Sequence, residues 1–499
     1  MQALRMIELV HNTGYTYKEV RMTPHDITYG VKKAMLTFLS IFPILAFAYS
    51  AMASDLTYQR DYSYQASESD SKISCRTLAL EQVKRLLLEE LGTYLVSKTE
   101  VKDLQFSQDQ IVSLTAGVVK TEVLKEQWDG RTYYIVAKIT ADANQVAKAV
   151  LELRKDQQAL SDLEEVKKRT EEIVAEITKL REELKLAKEG GRTQEKDDYI
   201  EAVKKLGAVN WYKEGYALAV ARKYRDAISF YNKAIEADPL NALAFNARGW
   251  AYYKISDYKS ALNDNNRAIE LRPNFPVALV NRANTLWGMK IYDKALLDTN
   301  RALELKPDYS RAFEVRSLIY LFMNKYALAI EDSSKAIELN PNNSYAYLNR
   351  GNAYRYSERY EEALLDFRKS IEINPANPDV YQSRGYTLFL LKKYDAALDD
   401  INVALDIGKN PTTPLFFPVL TLYRRGLINN QLHNYKEAIQ DFSKVIASEK
   451  QNSAAYYHRS ISFKNVGKTD ESESDMKRAA QLGDKRAQKA INTQNLPTP

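Results

Sequence analysis

Five prolines, Pro239, Pro273, Pro307, Pro341 and Pro375, stand 34 residues apart. A unit of that length cannot bury a hydrophobic face alone, so successive units must stack and share one continuous core. With proline at position 32, position 20 of the unit is Ala227, Ala261, Ala295, Ala329, Ala363 and Ala397, then Ala438 after an insertion. Position 27 reads Ala234, Ala268, Ala302, Ala336, Ser370 and Ala404. Position 8 carries Gly215, Gly249, Gly351, Gly385 and Gly426, with Ala283 and Ser317 as departures. Small side chains at three fixed places predict two helices that cross closely within every unit.

This pattern, together with Trp211 at position 4 of the first unit, resembles the tetratricopeptide repeat over residues 208–485. The resemblance implies a mainly α protein, with antiparallel helix pairs stacked into a right-handed superhelical solenoid of about eight pairs. Between the sixth and seventh units seven extra residues fall near Gly408 to Pro418. The eighth unit is degenerate: it begins near Ser453, keeps Tyr456 and Ala479, and has Ser472 at position 20. Residues 486–499 are the C-terminal cap and tail, and Asp484 to Asn492 is expected to form a short polar helix over the last apolar face.

Two further positions repeat as charges. Position 7 is Arg248, Arg282, Arg316, Arg350, Arg384, Arg425 and Arg459; position 23 is Asp264, Asp298, Asp332, Asp366, Asp400, Asp441 and Asp475. The first unit has Glu214 and Phe230 there instead. Pairing each arginine with the preceding unit's aspartate would set Arg248 against Phe230 and orphan Asp475, whereas pairing inside each unit satisfies every residue. The expectation is a structural ladder of intra-repeat ion pairs rather than an anion-binding stripe.

In the tetratricopeptide family, positions 2, 5, 9, 12 and 13 of each first helix line the concave surface. The resemblance thus implies a partner-binding groove containing Asn246, Trp250 and Tyr253, then Val280, Asn284 and Trp287. Tyr345, Asn352, Arg355 and Tyr356 follow, and then Gln382, Tyr386 and Phe389. Asparagine can donate to and accept from a peptide backbone, and aromatic rings supply contact area at little entropic cost. An extended peptide is the expected ligand, with about a third of the aromatics spent on packing between repeats. The Lys and Asn clamp with which some family members hold a C-terminal carboxylate is not reproduced in consecutive repeats.

Ahead of the repeats, Lys32 and Lys33 precede an apolar stretch from Ala34 to Ala53 that ends in Ala51-Met52-Ala53. Residues 31–53 therefore read as a secretory signal cleaved before Ser54, with an uncleaved membrane anchor as the alternative. Residues 1–30 read as sequence ahead of the true start. The Ser/Tyr-rich stretch 54–74 is expected to be a flexible lead-in. Within residues 75–150, Leu80, Val83, Leu87, Leu91 and Tyr94 share one helical face, while Val119, Thr121, Val123 and Tyr133, Ile135, Ala137, Ile139 alternate about Asp129-Gly130. That predicts a small α+β domain with a type I′ hairpin. Arg76-Thr77-Leu78-Ala79-Leu80 and its surroundings resemble the exported bacterial domains of the LPP20 and flagellar-assembly type, which implies an envelope protein. Over residues 151–188, Leu163, Val166, Thr170, Ile173, Ile177, Leu180, Leu184 and Ala187 form a heptad seam. The seam predicts a coiled-coil stalk that joins copies of the chain through residues 163–187, the alternative being a helix laid on its own neighbouring domain. Residues 189–207 are expected to be a linker that lets stalk and repeats move independently.

The formal charge of +6 over 499 residues is too small to argue for nucleic acid. Cys75 is the only cysteine, so no internal disulfide forms, and His11, His25, His433 and His458 are scattered. Neither a metal-ligand spacing nor a phosphate-binding loop is present, so no catalysis, cofactor or metal is expected. The sequence reads as a periplasmic or secreted bacterial scaffold for a protein or peptide partner of the envelope; the competing reading is an envelope-assembly protein that acts mainly through self-association of its stalk.

Overall fold

The computed structural model describes residues 56–68, 70–97, 119, 121–141, 157–186, 192–409 and 418–494. The apolar segment 34–53 and the Phe416-Phe417 insertion lie outside them. No helix among the described residues is long and apolar enough to cross a membrane.

The small domain contains β1 (Leu56–Gln65), α1 (Lys72–Ser97), β2 (Thr121–Trp128) and β3 (Thr132–Ala141). The strands form an antiparallel sheet with β3 in the centre. Tyr133, Ile135, Ala137 and Ile139 of β3 are buried against Cys75, Ala79, Val83, Leu87 and Leu91 of α1. Burial pushes the Cys75 thiol up to about 11, which keeps it protonated and unreactive. The lead-in expected to be flexible is corrected: β1 occupies most of it. Its period is two, and Tyr58, Tyr62 and Tyr64 pack onto the core while Arg60 pairs with Glu90 of α1 at 3.0 Å. The hairpin also differs from a type I′ turn, because of its turn residues only Gly130 has positive φ. The Asp129 carboxylate stands in for the second strained residue by accepting the Arg131 and Thr132 amides at 2.8 and 2.7 Å.

Helix α2 (Gln157–Leu186) and helix α3 (Arg192–Val220) correct two further expectations. The seam residues Val166, Ile173, Ile177 and Leu184 are buried against Tyr199, Val203 and Leu206 of α3, so the chain covers its own seam. Ala187 and the side chain of Leu163 lie outside the described residues. The linker is helix for most of its length, since α3 runs without interruption into the first repeat. A heptad pattern specifies an apolar stripe, and a helix beginning six residues after α2 ends covers that stripe before another molecule can. The same contacts join the stalk to the repeats where independent motion was expected. Arg169 meets Asp238 at 2.9 Å and Glu165 meets Arg272 at 2.7 Å, which ties α2 to the first two repeats as their N-terminal cap. Buried Asp70 accepts from Tyr199 of α3 and pairs with Arg181 of α2 at 3.4 Å, fixing the small domain to both helices.

Eight helix pairs follow. They are α3 with α4 (Tyr224–Ala237), α5 (Ala242–Lys254) with α6 (Tyr258–Leu271), α7 (Pro276–Gly288) with α8 (Tyr292–Leu305), and α9 (Ser310–Phe322) with α10 (Tyr326–Leu339). Then come α11 (Ser344–Tyr356) with α12 (Tyr360–Ile373), α13 (Pro378–Leu390) with α14 (Tyr394–Gly408), α15 (Pro418–Gln431) with α16 (Tyr435–Ser448), and α17 (Ser453–Asn465) with α18 (Thr469–Gln481). Helix α19 (Lys485–Gln494) closes the array and buries Ala487. Each first helix ends in a left-handed residue at position 15, from Arg222 and Ser256 through to His433, and the next amide returns to position 11, as from Asp257 to the Tyr252 carbonyl at 3.0 Å. Within a pair, positions 8 and 24 trade volume. A Cβ on Gly351 would lie 2.7 Å from the Phe367 ring, and one on Gly426 2.8 Å from Phe442. Where position 8 is Ala283 or Ser317, position 24 is the smaller Thr299 or Ser333. Successive first helices touch one another more closely than successive second helices, so the solenoid curves with its first helices inside.

Candidate partner-binding groove

The curvature depends on how neighbouring repeats are locked. All seven arginines at position 7 make two hydrogen bonds to the aspartate of their own repeat, 2.7 and 2.7 Å for Arg248 with Asp264 and 2.8 and 2.8 Å for Arg350 with Asp366. Arg282–Asp298, Arg316–Asp332, Arg384–Asp400, Arg425–Asp441 and Arg459–Asp475 repeat the geometry. Burial raises the Asp264 and Asp332 carboxyls above their ordinary range against the pull of the arginines, so desolvation offsets much of the attraction. The ladder also links neighbouring repeats. The third guanidinium nitrogen reaches position 25 of the preceding repeat: Asn232, Asn266, Asn300, Ser334, Asn402 and Ser443 accept from Arg248, Arg282, Arg316, Arg350, Arg425 and Arg459. For Arg384 the residue at that position is Arg368, and Arg384 has no such bond among the described residues. The first repeat departs from the ladder because its Glu214 pairs with Lys84 of α1 at 2.9 Å, docking the small domain, while Phe230 packs on Trp211.

Along the concave face the residues expected to line the groove divide into two sets. Asn246, Tyr253, Val280, Asn284 and Gln382 are buried. Asn246 accepts from Asn281 of the next repeat at 2.9 Å, Asn284 donates to the Val280 carbonyl of its own helix, and Gln382 donates to Thr421. Asn246 and Asn284, expected to hold a ligand backbone, are buried, the first engaged with the next repeat and the second with its own helix. The second set stays open. Tyr345 and Tyr356 are about half exposed, at 48% and 50%, and Trp250, Trp287, Asn352, Tyr386 and Phe389 are half-buried. Tyr356 stacks on Tyr326, Phe389 on Tyr386, and Trp287 meets the exposed Phe322 edge-on at 5.2 Å. Arg355 is buried, donates to Asn352 at 3.1 Å and covers Tyr356 at 4.1 Å. Two buried donors in this surface, Nε of Arg355 and Nε1 of Trp287, have no acceptor among the described residues.

The structure adds charges that the sequence reading passed over. Lys254, Arg311 and Arg424 sit on groove rings: Lys254 lies 4.2 Å and Arg311 4.7 Å from the Trp250 ring, and Arg424 lies 4.3 Å from Tyr386. Lys254, Arg311, Glu314 and Asp379 stand at positions 13, 2, 5 and 2, within the positional set already in hand, so the signal was available. Arg424, at position 6, had none. Burial in the hollow pushes Lys254 down to about 7, with Arg311 and Arg222 adding to the effect, and pushes Asp379 up to about 7 against the pull of Arg424. Among the described residues no cluster of His, Cys, Asp and Glu could hold a metal ion.

Tetratricopeptide-repeat family models match residues 212–276, 310–343, 344–377 and 367–399. The solenoid is a tetratricopeptide-repeat array. Among solved structures it is similar in fold to the APC/C hetero-tetramer Cut9–Hcn1, with TM-score 0.51 and 13% identity over 61% of this chain; the match spans 60% of that chain. A tetratricopeptide repeat protein from Parabacteroides merdae matches at TM-score 0.39 and 20% identity, over 51% of this chain and 98% of that one. YrrB, described as a tetratricopeptide protein with an unusual peptide-binding site, matches at TM-score 0.27 and 22% identity, over 36% of this chain and 93% of its own. No curated protein matches the chain. Tetratricopeptide arrays commonly serve as protein–protein interaction scaffolds.

Proposed function

We propose that this chain is an exported, non-enzymatic interaction scaffold that holds an extended segment of an envelope protein in the concave groove of repeats two to six. The observation that carries the reading is the open ring set itself. Trp250, Trp287, Tyr356 and Tyr386 remain partly exposed on the inner face, and Arg355 and Trp287 keep buried donors without acceptors among the described residues. A buried donor without a partner costs about 1–3 kcal/mol, a cost that a ligand carbonyl or carboxylate would remove. Export rests on the basic start, the apolar stretch and the Ala51-Met52-Ala53 ending. A mainly self-associating stalk is the weaker reading, because the seam of α2 is already covered by α3.

Crosslinking in cells followed by pull-down, with wild type and the Trp250→Ala, Trp287→Ala double variant, tests the proposal. Each ring is expected to contribute more than about 1 kcal/mol to capture, as central aromatic anchors do. An identical partner set from both proteins would place the binding surface elsewhere. N-terminal sequencing of the mature protein tests export, with Ser54 expected as the first residue and Met1 contradicting it.

A further inference from the structure

One rung of the ladder departs from the others, and a cleft opens beside it. Six of the seven arginines at position 7 find an oxygen at position 25 of the preceding repeat, but for Arg384 the residue there is Arg368. Position 11 departs at the same rung. Tyr320 and Tyr354 lie 6.0 Å from Arg316 and Arg350 in their own repeats, whereas the sixth repeat has Leu388 at that place. Arg384 keeps both bonds to Asp400 and lies 5.7 Å from the Tyr381 ring, while its Nη1 has no acceptor among the described residues. The cleft, of about 580 Å³, lies between α12 and α14 and opens on the outer face of the array. Small-molecule sites are commonly of that size. Leu364, Leu365, Leu388 and Ala396 give it an apolar lining, and Leu365 is 62% exposed. Its rim is charged: Glu361 and Arg368 stand on α12, Asp399 on α14, and Lys393 just ahead of α14. None of these four makes an ion pair among the described residues.

We propose that this cleft binds a short apolar peptide with free termini, its carboxylate on Arg384 and Arg368 and its ammonium on Glu361. The site is separate from the inner groove and does not depend on it. At the other rungs an asparagine or serine oxygen stands where the ligand carboxylate stands here, and a carboxylate brings a second oxygen for Arg368. Glu361 precedes Arg368 by seven residues on one face of α12, which places them about 10.5 Å apart along the helix axis. An extended chain advancing ~3.3 Å per residue covers that distance in about three residues. Its side chains then lie on Leu364, Leu365 and Leu388 and remove apolar surface from water. Both signs of charge are required of the ligand, because Arg368 and Lys393 offset Glu361 and Asp399 around the rim. A zwitterion leaves the cleft neutral, whereas a fatty acid or an amine alone would add one unbalanced charge beside a like one. The bare nitrogen of Arg384 sets the direction, with the carboxylate at the Arg368 end.

Isothermal titration of the full chain with the tripeptide Ala-Leu-Ala, its N-acetylated form, its C-amidated form and free leucine tests the assignment. The free tripeptide is expected to bind once per chain and at least tenfold more tightly than the other three. Arg368→Asn, which restores the acceptor of the other rungs, and Leu388→Tyr, which restores the ring, are each expected to weaken it at least tenfold. Arg368→Asn is also expected to unfold in urea no earlier than wild type, so that its loss of binding is not a loss of fold. Glu361→Gln, a change at an exposed side chain, should bring the free tripeptide down to the affinity of its N-acetylated form. Absence of saturable binding, or capped forms that bind as tightly as the free tripeptide, would overturn the proposal. Leucine bound as tightly as the tripeptide would overturn the span between Glu361 and Arg368. Binding unchanged in both Arg368→Asn and Leu388→Tyr would place the peptide outside this cleft and overturn the assignment.

Discussion

Deleting one rung of the arginine–aspartate ladder tests whether the repeats are held as described. In the fifth repeat Arg350 donates to both oxygens of Asp366 at 2.8 Å and to Ser334 of the preceding repeat at 3.1 Å; the side chains are 21% and 8% exposed. Arg350→Ala leaves a buried carboxylate without its partner and removes the bond to the preceding repeat. Breaking a buried pair costs about 3–5 kcal/mol, and partial exposure of the arginine side admits water, so about 3–4 kcal/mol is expected. Asp366→Ala leaves a longer, partly exposed cation that can turn to solvent, and about 2–3 kcal/mol is expected. The double variant shares one interaction and should cost close to Arg350→Ala alone, about 2–3 kcal/mol less than the sum. Replacing the pair by Met and Leu should be nearly neutral, because burial already offsets much of the Coulombic gain. Urea unfolding followed by circular dichroism on the full chain and the four variants reads these differences. Single-site losses that add within about 0.5 kcal/mol would refute the pairing as a source of stability.

Three other outcomes follow from particular side chains. Arg368→Asn should supply the missing acceptor for Arg384, raising stability by about 1 kcal/mol in the same urea assay; a loss would mean that the rung is set by other contacts. Gly351→Ala should cost about 1–3 kcal/mol through its clash with the Phe367 ring, and Phe367→Leu should recover part of that loss when combined with it. His458, stacked on Phe442 beside Arg486, is pushed down to about 4 by burial. Its folded value lies below its unfolded one, so the stability it contributes is present above about pH 6.5 and lost as pH falls toward 4. A loss of about 1–2 kcal/mol after allowance for solvent screening, absent in His458→Phe, is the result expected from melts across that range.

The parts of the fold that the sequence made legible are those with a fixed spacing. The period of 34, the small residues at positions 8, 20 and 27, and the matched Arg and Asp positions define both the helix pairs and the rungs between them. What lay outside reach were relations between faces. The heptad stripe of α2 is plain in the sequence, but nothing in a stripe says whether a second chain or the next helix covers it. Strand β1 was hidden because tyrosine and serine read as polar by composition, although Tyr58, Tyr62 and Tyr64 alternate as a buried edge requires. In the groove the rings of Trp250, Trp287, Tyr356 and Tyr386 stand on first helices, at the positions from which the resemblance drew the groove. The burial of Asn246 was not legible, because a side chain on a concave helix can be drawn into the contact with the next repeat, as Asn246 is by Asn281. The cations at Lys254 and Arg311 stood at positions already assigned to the groove, yet only the curvature brings Arg311 onto a ring two repeats away.

Site-specific photocrosslinking in cells bears most directly on the central claim. A photoreactive phenylalanine analogue placed at Phe322 or Tyr356 lies in the open groove, and one at Leu297 or Leu365 lies exposed on second helices, outside the curve. Crosslinks to one partner segment from Phe322 and Tyr356, lost when Trp250 and Trp287 are alanine and not obtained from Leu297 or Leu365, are the predicted result. Crosslinks to that partner from Leu297 and Leu365 alone would contradict the account and move recognition to the outer face of the array.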